Sequence, residues 1–281
     1  MSVDYGKIFG HALRYPLRKD VFTLMFVINL FFSVVSWIVT NATMGNVSAI
    51  DETMALSNIM NVIVFTIPMA IIFFAISVFI MPIFVDNSRK FFKGKNENPT
   101  ESISIAKERF IPLLLTMFLV MLILFACFSV IFIPIITATF LGQAIFAVFA
   151  GVLSIIGIVV VAYIMFMLIL SSYICIIEKT GAQDSIKSSW RIVGKNKLNT
   201  FIFIIIFTVI YIAIYLLMLV PSLGIMILQG NYTDFSVTGL VILIITTILG
   251  SYSALFTMSA TTNYYLTIKP KLSMKSILKK K

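Results

Sequence analysis

Apolar residues gather into six tracts separated by short polar or charged connections: Val21 to Val39, Ile59 to Val85, Ile111 to Ile136, a long tract within Gln143 to Ile177, Thr200 to Leu228, and Val237 to Ile268. A helix rises about 1.5 Å per residue and bilayer hydrocarbon is about 30 Å thick, so about 20 apolar residues suffice to cross it. Each tract meets that length and predicts one transmembrane helix. The fourth is longer than one perpendicular helix needs, so it either tilts strongly or begins as an irregular external segment near Gly142 and Gly151. Pro68, Pro82, Pro134 and Pro221 are expected to kink or end their helices, because proline removes a backbone donor.

Polar intervals before the odd-numbered spans carry a different period. Tyr5, Ile8, Phe9, Ala12 and Leu13 share one helical face, while Lys7, His11, Arg14 and Arg18 line the other. Thr100 opens a second segment in which Ile103, Ala106 and Phe110 share a face, and Pro112 marks entry to the span. In the third, Thr180 and Gln183 have capping-box spacing, and Ile186, Trp190 and Val193 form an apolar stripe beside a basic one at Lys187, Arg191 and Lys195. Such amphipathic helices lie flat at a membrane interface, apolar face among acyl chains and cations near anionic headgroups. An interfacial helix followed by a membrane hairpin then recurs with starts near residues 4, 99 and 181, giving repeat units 1–85, 86–178 and 179–268. The alternative is that basic juxtamembrane helices are simply common in polytopic proteins.

Composition narrows the class. Of 281 residues, 60% are hydrophobic and 11% charged, against roughly 45–50% apolar and about 25% charged in soluble domains. A soluble enzyme, a disordered chain and a disulfide-rich module are excluded. The expectation is an all-α polytopic integral membrane protein, a single domain over residues 1–281, with a basic tail at 269–281. All 21 Lys and Arg residues fall in the N-terminal segment, the second and fourth connections and the tail, whereas Asp51, Glu52 and Asp234 are the charges of the other connections. Because basic residues flanking short loops stay on the cytoplasmic side, both termini are expected to be cytoplasmic in the cell membrane. The first apolar run is too long for a cleaved signal peptide. N-glycan acceptor triplets at Asn41, Asn46 and Asn231 fall in the external connections.

The spans so drawn hold no Asp, Glu, Lys, Arg or His, which argues against proton-coupled transport and voltage sensing. His11 is the sole histidine and reads as a solvated interfacial residue. No glycine-rich phosphate loop is present, and the cytoplasmic acids Asp86, Glu97, Glu101, Glu108, Glu178 and Asp184 alternate with cations, which reads as ion pairing on wet loops. Catalytic residues, metal ligands and cofactors are therefore not expected, and an enzyme is not. Cys127 and Cys175 read as small packing residues. A nucleic-acid partner is not expected, since the positive charge follows the membrane edges and no binding motif accompanies it. The tail, with Lys271, Lys275 and Lys279 at helical spacing, either binds the anionic inner leaflet or serves as a topology signal.

The sixth span is the most polar, running from Thr246 through Ser251, Ser253, Thr257, Ser259 and Thr261 to Asn263. Such residues serve close helix packing by default; a substrate-lining polar face at Thr257 and Thr261 is the alternative. Tyr264 and Tyr265 suit the cytoplasmic aromatic belt.

The stretch from Asp184 to Asn196, with Trp190-Arg191 at its centre, resembles the segment before the fifth helix of an uncharacterised archaeal six-helix membrane protein family, similar in layout to the membrane domain attached to some glycerophosphodiester phosphodiesterases. Ala12-Leu13-Arg14-Tyr15-Pro16 is similar to the start of the archaeal proteins, and Thr262-Asn263-Tyr264-Tyr265-Leu266 to the end of their last helix, although Leu266 and Thr267 stand where relatives often carry an acid and an arginine. The resemblance implies no activity; the acceptor triplets and the Lys, Asn and Ile usage point to an archaeal source. The expected role is non-enzymatic, organising membrane lipids or a protein partner through Lys187, Trp190, Arg191 and Lys195. A transporter or channel for a neutral or amphiphilic solute, using Thr257 and Thr261, is the other reading.

Overall fold

The computed structural model describes residues 3–44, 64, 67–95, 99–141, 144–229 and 237–269. These form helices α1 (Tyr5–Arg14), α2 (Lys19–Met44), α3 (Ile67–Phe92), α4 (Pro99–Leu141), α5 (Ala144–Leu168), α6 (Ser171–Ile177), α7 (Ala182–Lys195), α8 (Lys197–Gln229) and α9 (Val237–Ile268), with a 3-10 turn at Tyr15–Leu17 and no strand among the described residues. Six helical stretches are long and apolar enough to cross a membrane, in α2, α3, α4, the α5–α6 pair, α8 and α9.

Local chemistry sets the boundaries. Asp4 caps α1 by accepting the Lys7 N–H at 2.9 Å. Pro16 has no donor to continue the ladder, so the chain tightens into the 3-10 turn and becomes extended at Arg18 before α2 departs. At the end of α3, Gly94 takes a φ of +64°. Its N–H donates to Phe91 O at 3.0 Å and that of Lys95 to Lys90 O at 2.9 Å, a helix ending that requires a left-handed residue.

Helix α9 lies at the centre, packed on α1, the 3-10 turn, α2, α3 and α8. α4 pairs with α3 and α5, and α7 packs on α4, α5 and α6 and reaches α8. The core gathers near one end of the bundle. There Phe203 stacks on Tyr264 at 4.2 Å and on Phe9 at 5.5 Å, and Phe207 stacks on Phe256 at 5.6 Å, joining α1, α8 and α9.

Several expectations are corrected. The irregularity in the fourth tract falls at Ile169–Leu170, not near Gly151, which is helical; Gly142 lies outside the described residues. Its cause is competition for backbone acceptors: Ser189 of α7 donates to Met167 O at 2.8 Å, and Ser171 to Leu168 O at 2.7 Å. The second segment is no separate helix but the first turns of the 43-residue α4, with Ser102 and Ala106 buried and Ile103 exposed. Helices continue through Pro82, Pro112, Pro134 and Pro221, so none of these ends a helix, and Pro68 sits in the first turn of α3. The apolar face of α1 is covered by protein rather than acyl chains, with Ile8 and Ala12 fully enclosed. Gly181, not Thr180, caps α7, and no side chain completes the expected box. Cys127 and Cys175 are both free thiols. The tail beyond Lys269, the acids Asp51, Glu52 and Asp234, and the acceptor asparagines Asn46 and Asn231 lie outside the described residues, while Asn41 is in α2.

Candidate interface site at the charged end

One end of the bundle collects α1, the end of α3, the start of α4, α6, α7, the start of α8 and the end of α9. Side-chain bonds tie them together. Asn263 of α9 donates to Ile8 O of α1 at 3.3 Å, and Tyr252 to Leu13 O at 3.0 Å. Tyr5 donates to Asn199 O at 3.0 Å. Tyr264 and Thr200 share a hydrogen bond of 2.7 Å; because Thr200 gives its proton to Asn196 O at 3.0 Å, Tyr264 is the donor. Tyr264 and Tyr265 are fully buried, the latter bonded to Glu178, so neither belongs to an aromatic belt.

Asp86, Glu101, Glu108 and Glu178 pair with cations as expected, though not all on wet loops, whereas exposed Asp184 has no ion pair among the described residues and Glu97 lies outside them. Asp86 is buried within α3, held by Lys90 at 2.9 Å and by the Ser102 hydroxyl at 3.0 Å. Lys90 also reaches Glu101 at 2.7 Å. Glu108 bonds Arg109 and, at 2.9 Å, Lys179, which adopts a positive φ of 56° between α6 and α7. Glu178 takes Lys269 at 3.1 Å. No group of three or more metal-ligating side chains occurs among the described residues. Sequence order contained one signal for the buried layer: Asp86-Asn87-Ser88 precedes Arg89-Lys90 without an intervening loop residue.

His11 is only partly exposed. Its ring stands edge-on to Phe91 and Phe92, at 5.7 and 5.3 Å, and Nδ1 is enclosed without a hydrogen-bond partner. Lys7 and Arg18 cover the same two rings, at 5.6 Å each. Burial, reinforced by Arg89, Lys95 and Lys269, lowers the pKa of Lys93, and burial raises that of Tyr5.

On α7 the buried face is Ser185, Ser189, Ile192 and Val193. Of the expected apolar stripe, Val193 packs on protein while Trp190 is 44% exposed, beside exposed Lys187, Arg191 and Lys195. Sequence reasoning missed two neighbours. Tyr163 of α5 meets the Trp190 ring edge-on at 6.0 Å, and Lys197 Nζ lies over Tyr163 at 5.8 Å. They are 27 and 34 residues apart from Tyr163 along the chain, so no local pattern joins them.

The polar positions of α9 are divided among its neighbours. Ser259 bonds Ser88 at 3.0 Å, Ser251 bonds Asn29 at 2.9 Å, and Thr247 bonds Ser33 at 3.3 Å. Thr261 is buried, and half-buried Thr257 returns its proton to Ser253 O at 2.8 Å. Thr257 and Thr261 do not form a shared open face.

Six apolar helices, with charged side chains drawn to one end, define a multi-pass membrane protein. Residues 100–268 match the family described as Domain of unknown function (DUF7847), more than half of the chain, and the protein belongs to that family. No curated protein and no solved structure matches it.

Proposed function

We propose that this is a non-enzymatic protein of the cell membrane that organises anionic lipids, or a protein partner bound beside them, at the cytoplasmic leaflet. The observation that carries this reading is the outward basic face of α7: Lys187, Arg191 and Lys195 are exposed while Ser189 fastens the opposite face to α5. A fixed row of cations attracts an anionic surface by about 1 kcal/mol each. The charged end then faces the cytoplasm, as the distribution of Lys and Arg requires.

The test is the lipid that remains after gentle detergent extraction, compared by mass spectrometry with the bulk membrane. Anionic lipid should be enriched, and substitution of Lys187, Arg191 and Lys195 by Gln should remove most of the enrichment. Equal compositions with no partner recovered would overturn the reading. Orientation is checked separately, in a background lacking Cys127 and Cys175, with an impermeant thiol reagent that should label Asp51→Cys and spare Lys187→Cys.

A carrier of a neutral amphiphile has one specific support, an open groove of about 490 Å³ lined by Phe32, Ser33, Ser36 and Phe73 of α2 and α3. Absence of solute flux in liposomes holding the native chain would remove it.

A further inference from the structure

Some cations of the charged end are paired within the protein. Lys90, Arg109, Lys179 and Lys269 each have a carboxylate partner. Where α5, α7 and α8 meet, the donors have none. Tyr163 touches both Trp190 and Lys197 through its ring, and no hydrogen bond or ion pair of the phenol, the indole N–H or the ammonium is found among the described residues. All three side chains are exposed.

The surroundings specify the missing acceptor. From this trio α5 and α8 run into the membrane-spanning region, exposing Val159 and Val160 on one helix and Phe201 and Ile205 on the other. A ligand completing the site needs a negative charge for Lys197, oxygen acceptors for the indole and phenol, and apolar chains for those faces. A choline headgroup is disfavoured, because a ring face that would attract a quaternary ammonium is already covered by Lys197. A free phosphate would satisfy the donors and leave the apolar flank unused.

We propose that Tyr163, Trp190 and Lys197 form a seat for one anionic phospholipid, its phosphodiester accepting from Lys197 Nζ and Trp190 Nε1 and its acyl chains lying along α5 and α8. This rests on the reading that the charged end faces an anionic leaflet, but it names residues apart from the outward row Lys187, Arg191 and Lys195.

Replacing the other tryptophan, Trp37→Phe, leaves Trp190 as the sole indole reporter. In vesicles of phosphatidylcholine with a minority of phosphatidylglycerol, brominated acyl chains carried on phosphatidylglycerol should quench Trp190 several-fold more than the same fraction carried on phosphatidylcholine. Lys197→Gln should erase that preference and Lys197→Arg should keep it. Equal quenching by the two lipids, or an unchanged preference in Lys197→Gln, overturns the seat. Relief of quenching by millimolar inorganic phosphate assigns the site to a free anion and overturns the lipid. If Trp190 shows no preference while extracted protein still carries anionic lipid that depends on Lys187, Arg191 and Lys195, the seat fails and the broader reading stands; loss of both removes both.

Discussion

At the charged end, Asn263, Ser259, Ser88, Thr200 and Tyr264 are wholly enclosed, and their hydrogen bonds run between helices. In the other half of the bundle α5 and α8 turn Ile155, Ile158, Val209, Ile212 and Leu217 outward. Hydroxyls there mostly return to their own helix, as Ser129 does to Phe125 O and Ser154 to Ala150 O. Lipid is as apolar as leucine, so burial of apolar side chains gives little reason for one helix to choose another. Polar bonds that would otherwise go unmade, and close fits of shape, must fix the arrangement. This chain places most of the former at one end and leaves the far half to the latter.

The sharpest way to break that contrast is Asp86→Ala, which leaves largely buried Lys90 with Glu101 as its remaining partner. Removing one member of such a pair should cost about 2–3 kcal/mol in reversible unfolding in detergent. A loss no greater than that from a lipid-facing change would show that the charged end is not where stability resides. Gly157→Ala probes the other half. A methyl group there would overlap Ile131 Cγ1 of α4, for an expected loss of about 1–3 kcal/mol, and Ile131→Ala in the same chain should recover part of it. No loss in unfolding measurements would mean that the α4–α5 fit is loose.

Thr200→Val and Tyr264→Phe should each cost about 1 kcal/mol and sum to less than their separate effects, since they share one hydrogen bond. Full additivity in a double-mutant cycle would dissolve the proposed link between α8 and α9. The smallest effect belongs to Val159→Ala on the outer face of α5, within about 0.5 kcal/mol. A larger one would reveal a protein contact where lipid is expected.

Much of this architecture was legible in the sequence because the bilayer imposes a length: tracts of apolar residues had to become spans, and each coincides with a helix, although α3 runs on past Val85 to Phe92 and α4 begins at Pro99 rather than Ile111. The candidate site was only partly legible. The sequence pattern marks Lys187, Arg191 and Lys195 as a basic row with Trp190 on the neighbouring membrane-facing stripe, but Tyr163 and Lys197 have no local pattern connecting them to it. Asp86 lies one residue beyond the apolar tract of its span and reads as a loop acid, whereas α3 continues past it.

By itself the sequence determined how many helices are long and apolar enough to cross, where along the chain each lies and that the cations gather where the apolar tracts end. All three follow from transferring side chains between water and hydrocarbon, a property of residue type and order. Tertiary structure alone decided which apolar faces meet protein. It enclosed α1, buried Tyr264 and Tyr265, turned Trp190 outward and placed Lys197 over Tyr163. Hydrophobicity cannot encode those choices, because lipid and a neighbouring helix offer an apolar side chain nearly the same solvent, and the decision passes to shape and to the few hydrogen bonds between helices.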